Sequence, residues 1–149
     1  MDWEAELLKA RERFEEILKT VDTSDLEKAA QQGWERIIEL GNNTPEPLKQ
    51  LWNDIQWMVD LIKDYWDGTY REIPWASLAA IVAAIIYFVS PLDAIPDFIP
   101  VIGYLDDATV IGFALAMVKE DLLQYKKWKE SKAPQTALIV VNPTFQASE

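Results

Sequence analysis

The chain has 149 residues and a mass of 17.1 kDa, with 50% apolar, 26% charged and 11% aromatic residues, the profile of one globular domain. It contains no cysteine and no histidine, which excludes disulfides, thiolate and imidazole metal ligands, cysteine nucleophiles and every mechanism that uses a histidine base. A formal net charge of −11 repels nucleic acid and anionic headgroups, so no nucleic-acid partner is expected.

The charges fall into three zones. Residues 1–72 hold 9 basic and 17 acidic side chains. Residues 73–118 have no basic residue and four acids, Asp93, Asp97, Asp106 and Asp107, and residues 119–149 carry 5 lysines and 4 acids. The acidic start, Asp2, Glu4 and Glu6, stands where a secretory leader would be basic and then apolar. It predicts no targeting peptide and a cytoplasmic chain.

In chain order, Leu7, Leu8, Phe14, Ile17, Leu18 and Val21 recur at helical spacing and predict an amphipathic helix over about residues 3–20. Thr23-Ser24-Asp25 offers an N-cap for a second helix, carried by Leu26, Ala29, Ala30, Trp34, Ile37 and Ile38 and closed at Gly41-Asn42. After the breaker Thr44-Pro45-Glu46-Pro47, the stripe Leu48, Leu51, Trp52, Ile55, Val59, Ile62 and Trp66 predicts a third helix ending near Asp67-Gly68. No strict heptad is sustained, so a bundle is favoured over a long coiled coil.

Residues 73–92 are twenty residues without a charge, long enough to cross a bilayer, and a helix over 76–89 has no polar face. Such a helix is buried all round, either in lipid or in the middle of a bundle. On an insertion scale its nine Ile, Leu, Val and Phe contribute roughly −3 to −5 kcal/mol, which makes one crossing marginal. A return crossing over 98–118 meets Asp106 and Asp107 near its middle, at roughly +2.5 to +3.5 kcal/mol each if charged. Ala79, Ala80, Ala83 and Ala84 permit close backbone approach in either environment.

Between these two apolar segments Pro91, Pro96 and Pro100 forbid a continuous helix. Ser90 with Pro91 and Asp93 fits a capped helical turn, Gly103 relaxes the chain, and a second apolar helix is expected from about 104 to 128. Asp106 and Asp107 would then lie in its first turn, at the positive end of the dipole. On this reading all four Asp serve as caps and turn residues.

The run Ser90-Pro91-Leu92-Asp93-Ala94-Ile95-Pro96-Asp97, followed by Pro100 and by Gly103-Tyr104-Leu105-Asp106-Asp107, resembles the signature of the YkvA-like family, a bacterial domain of unknown function. The likeness extends over about residues 57–130, through Gly68-Thr69-Tyr70-Arg71-Glu72-Ile73-Pro74-Trp75 upstream and Lys119-Glu120-Asp121-Leu122 with Tyr125 downstream. It implies a small helical hairpin module, often membrane-associated, with relatives attached to membrane-anchored RING-type ubiquitin ligases, and no established activity. The motif residues it marks are Ser90, Pro91, Asp93, Pro96, Asp97, Pro100, Gly103, Tyr104, Asp106 and Asp107.

Hard divalent cations take clustered oxygen ligands, and Asp93, Asp97, Asp106 and Asp107 lie on two connected turns that a hairpin could bring together. With no basic residue nearby in sequence, converging carboxylates would need a cation, a helix N-terminus, an Arg or Lys from another helix, or a proton. No EF-hand spacing is present, and no cofactor is expected beyond such a cation. Tyr104-Leu105-Asp106-Asp107 also looks like the Tyr-x-Asp-Asp of reverse transcriptases, but here it opens a helix instead of lying on a strand hairpin.

Trp66, Tyr70 and Trp75 precede the first apolar helix, and Tyr125 and Trp128 follow the second beside Lys126, Lys127 and Lys129. A hairpin would bring both groups to one end, either as a membrane-interface belt or as rings sealing a bundle. The segment 131–149, with Pro134 and Pro143 around the strand-like run 137–141, is expected to be a flexible tail.

The sequence therefore predicts an all-α helical bundle with a central apolar hairpin, about 75–90 and 104–128, joined by a Pro/Asp-rich turn. An acidic N-terminal region (1–47) precedes the YkvA-like helical domain (48–130) and the tail. The expected role is non-enzymatic: an interaction or membrane-associated accessory protein, cytoplasmic or at the inner face of the membrane, with a protein partner or self-association. An integral membrane hairpin and a divalent-metal protein or enzyme using the Asp cluster are the alternatives.

Overall fold

The computed structural model describes residues 3–89 and 100–140, with side chains described over 4–89 and 105–132. These residues form five α-helices and two 3-10 turns, and no strand occurs among them. The first helix, α1 (Trp3–Thr20), buries Ala10 and Phe14 and leaves its Glu, Lys and Arg face in solvent. Ion pairs on that face, Lys9–Glu6 at 3.9 Å and Arg11–Glu15 at 3.8 Å, are exposed and contribute little.

A reciprocal capping box closes the next corner, one residue earlier than the expected Thr23-Ser24-Asp25 cap. Asp22 Oδ1 accepts from the Ser24 N–H at 2.9 Å, and Asp25 Oδ2 accepts from the Asp22 N–H at 3.0 Å. The 3-10 turn Thr23–Asp25 then feeds α2 (Leu26–Gly41), whose buried stripe is Leu26, Ala29, Gly33 and Ile37. A Cβ on Gly33 would lie 2.9 Å from Val59 Cγ2 and 3.0 Å from Ile85 Cγ2. The missing side chain at this one position is what lets α2 seat against both following helices.

The third helix was expected to begin at Leu48, but a 3-10 turn, Glu46–Leu51, precedes α3 (Trp52–Trp66). Pro45 is extended, and the Leu48 N–H donates to its carbonyl at 2.9 Å, an i to i+3 bond that tightens the entry. Leu48 is completely buried there, and Ile55, Met58, Val59, Leu61 and Ile62 form the buried face of α3. The helix stops where expected, at Asp67, because Gly68 adopts φ +85°. Asp67 Oδ1 accepts from the Thr69 N–H at 3.0 Å, and the Tyr70 N–H returns to the Asp64 carbonyl at 3.0 Å.

The apolar helix α4 (Trp75–Val89) packs against α1, α2 and α3, and every residue from 78 to 85 is buried, as is Phe88. Full burial of Leu78, Ile81, Val82, Ile85 and Phe88 contributes about 1.5–3 kcal/mol each before chain entropy is counted. Trp52 meets Phe88 edge-on at a centroid distance of 6.4 Å. The sheath made by the three amphipathic helices satisfies α4's need for apolar surroundings without lipid.

The last helix, α5 (Pro100–Val140), differs from expectation at both ends. It starts at Pro100, whose fixed φ suits a first helical position, so Gly103 lies inside the helix and Asp106 and Asp107 stand in its second turn instead of its first. It continues past Trp128 and through Pro134, and residues 137–140 are helical instead of strand-like. Residues 90–99, where the sequence predicts the Pro/Asp-rich turn, lie outside the described residues.

The chain divides into two compact units, Met1–Lys119 and Glu120–Glu149. In the first, α5 buries Val110, Ile111, Ala114 and Val118, and the Arg11 guanidinium lies 5.7 Å from the centre of the Phe113 ring. In the second, Tyr125 stacks on Trp128 at 5.9 Å, Lys129 lies 5.8 Å from the Tyr125 ring centre and Lys132 lies 4.6 Å from that of Trp128.

Candidate functional site: a buried aspartate pair

Of the four aspartates that the sequence marks, Asp106 and Asp107 are described, and Asp93 and Asp97 lie outside the described residues together with Ser90, Pro91 and Pro96. Pro100, Gly103 and Tyr104 contribute backbone to the first turns of α5. Their position in α5 rules out the capping role expected for Asp106 and Asp107. The orphan N–H groups of a helix belong to its first four residues, and both carboxylates follow them.

Asp107 is fully buried and Asp106 nearly so; the remaining buried charged side chain among the described residues is Asp64 of α3. Among the described residues neither carboxylate oxygen of Asp107 receives a hydrogen bond. Burial pushes its pKa well above the usual carboxylate range; Arg36 of α2 opposes that shift, and the charge of Asp106 adds to it. Burial is also the main cause that raises Asp106 to about 6, with Glu6 of α1 contributing. Tyr87 of α4 faces the same pair: burial first, then Asp106 and Asp107, push its hydroxyl up to about 12, so it keeps its proton throughout the physiological range.

Four helices supply this cluster, and each member is held from its own side. The Arg36 guanidinium donates to Glu39 Oε1 at 3.1 Å and lies 5.7 Å from the centre of the Phe88 ring. The Arg13 guanidinium lies 5.8 Å from the Tyr87 ring centre. Thr109, one turn along α5 from Leu105, returns its hydroxyl to the Leu105 carbonyl at 2.9 Å. Chemically the arrangement favours proton binding in a largely apolar interior: one acid whose pKa burial raises strongly, a second raised to about 6, and a guanidinium that opposes the shift of the first.

The sequence stated the need for an arginine or lysine from another helix without locating it; Arg36 answers it in part, its charge opposing the shift of Asp107 while neither Asp107 oxygen receives a hydrogen bond. Nothing in the helical spacing of Arg36, Glu6 or Arg13 distinguishes them from ordinary surface positions, Tyr87 reads only as one more member of the apolar helix, and the packing of four helices brings them together. For the metal reading, no group of three or more acidic side chains suited to an ion occurs among the described residues. Of the expected aromatic group, Tyr70 is buried and donates to the Glu72 carbonyl at 3.2 Å, whereas Trp66 and Trp75 are partly exposed.

Fold and site together define a small all-α module built around an apolar helix and a buried acidic pair. Residues 77–113, which span α4 and the start of α5, match the family described as "Protein of unknown function (DUF1232)". The chain is 41% identical over 69 residues to the "Uncharacterized membrane protein YkvA" of Bacillus subtilis (strain 168). That alignment covers 46% of this chain and 65% of the relative's length, so the chain spans just under two thirds of the relative. This part of the chain is similar to YkvA, and the family model it matches carries no assigned function. No solved structure matches the chain.

Proposed function

We propose that the chain is a non-enzymatic helical accessory protein that docks on the cytoplasmic face of a membrane without crossing it. The observation that carries this reading is the lysine-flanked Trp128 of the second unit: Lys132 lies 4.6 Å from the centre of its ring, and the indole is held from beneath by stacking on Tyr125, which is itself completely buried. Between residues 125 and 132 there are four lysines, Lys126, Lys127, Lys129 and Lys132, against one acid, Glu130. Amphipathic rings beside lysines suit the headgroup level of a bilayer. The net charge of −11 opposes this only weakly, because screening confines surface fields to about 8–10 Å and the lysines dominate locally.

Two further facts support docking over spanning. The relative bears the name of a membrane protein. Among the described residues no helix is long and apolar enough to cross a membrane, and α4, at fifteen residues, extends only about 22 Å against a hydrocarbon core of about 30 Å.

Flotation with lipid vesicles tests the reading. The untagged chain is expected to stay in the supernatant without detergent and to float with phosphatidylserine-containing vesicles, and the quadruple change of Lys126, Lys127, Lys129 and Lys132 to Glu should abolish flotation. A wild-type chain that never floats refutes docking. A chain that resists carbonate and dissolves only in detergent refutes it in favour of an integral hairpin.

A further inference from the structure

A groove of about 460 Å³ opens between α2 and α3, on a surface that the family match does not reach. Trp34 and Trp66, each about half exposed, line it, and Ala30 and Val59 form its apolar floor. Consecutive helices in contact run antiparallel, and Gly33 sets the register by meeting Val59. Trp34 therefore stands at one end, level with Val59, and Trp66 at the other, near Glu27. The seven steps from Glu27 to Trp34 correspond to about 10 Å along the helix. The groove is thus an elongated slot with an indole near each end.

Its charge is one-sided. Glu27 and Asp60 line the slot with one cation, Lys63, and that ammonium lies 3.5 Å from Asp67 and 3.9 Å from Asp64 on its own helix. Acids thus outnumber the cation in the slot's lining, and Lys63 is held towards Asp67 and Asp64, so the lining carries net negative charge that attracts a cationic ligand. Indole faces bind ammonium groups and pack against methylenes, whereas carboxylates accept N–H hydrogen bonds from primary and secondary ammonium. A long apolar slot with aromatic ends and two acids complements a ligand that is extended, aliphatic and charged at intervals.

We propose that the α2–α3 groove binds a linear aliphatic polyamine, with its methylenes along Ala30 and Val59 and its ammonium groups shared between Glu27, Asp60 and the indoles of Trp34 and Trp66. The site is separate from the aspartate pair and from the lysine patch of the second unit, so it stands or falls independently of membrane docking.

The test uses the full chain labelled with 15N, with spermidine as the probe at about 0.15 M salt to suppress diffuse binding to an acidic surface. Spermidine is expected to saturate, and the indole N–H signals of Trp34 and Trp66 should move before those of the other five tryptophans. Glu27→Gln and Asp60→Asn should each weaken binding several-fold, and Trp34→Ala by about tenfold. Both Glu27 and Trp34 are exposed, so these variants leave the core intact, and circular dichroism verifies their fold. Octane-1,8-diol, of similar shape but uncharged, should not compete. Three results would overturn the proposal: uniform shifts over all seven indoles, affinity unchanged in the Glu27 and Trp34 variants, or equal competition by the diol.

Discussion

Mild acid should stabilise this protein, the reverse of the usual trend for a chain rich in carboxylates. A carboxyl whose folded-state pKa is raised binds its proton more tightly in the native state than in the unfolded chain, so its favourable contribution is fully present below the unfolded value and is lost as pH rises through the folded one. For Asp106 that window runs from 3.8 to about 6. At 1.36 kcal/mol per pKa unit the ceiling is about 3 kcal/mol, and roughly half of that remains once solvent screening at the rim of the cluster is counted. Asp107, more deeply buried, adds to the change with the same sign. The absence of histidine keeps imidazole titration out of this range. Urea unfolding followed by tryptophan fluorescence should therefore give a higher stability at about pH 4.5 than at about pH 7. General relief of charge repulsion acts in the same direction, so the decisive comparison is Asp106→Asn combined with Asp107→Asn, which should flatten most of the difference. Equal stability at the two pH values, or a difference untouched by the double substitution, would refute the assignment of buried protons to this pair.

Further substitutions probe the frame that holds the site. Gly33→Leu should destabilise by about 2–3 kcal/mol in the same urea assay, since the first added carbon already meets Val59 and Ile85. Gly68→Ala should cost about 1–2 kcal/mol, because φ +85° is a left-handed conformation and the nearest atom to a new Cβ, Arg71 Nη2, is 3.8 Å away, leaving backbone strain as the cause. Leu48→Ala, at a completely buried position in the 3-10 entry to α3, should cost about 2–4 kcal/mol, with little loss of helical circular dichroism at low denaturant.

Hydrophobic spacing located α1, α2 and α4 closely, because each has a long periodic or uniformly apolar run between clear breakers. It misplaced the start of α3, where Pro45 and Pro47 impose a 3-10 entry that apolar periodicity cannot distinguish from an α-helix. The start of α5 was also misplaced: Gly103 reads as a break in sequence, yet a helix entered at Pro100 runs through it. That shift decided how the aspartates were read. With the helix beginning near residue 104 they are caps, and with Pro100 at its head they are buried acids needing a countercharge. The countercharge itself was not legible, because Arg36 is about seventy positions away in a helix whose pattern shows only that it is amphipathic. The groove beside Trp34 and Trp66 was hidden for the same reason, since it depends on the register that Gly33 sets between α2 and α3.

The order of helices along the chain has a consequence for biosynthesis. Chains emerge from the ribosome N-terminus first, and α1, α2 and α3, the three helices that cover α4, are all made before it. When residues 78–85 leave the exit tunnel, their apolar surface meets a sheath that already exists, and the segment most prone to aggregation or premature insertion has the shortest exposure in the nascent chain.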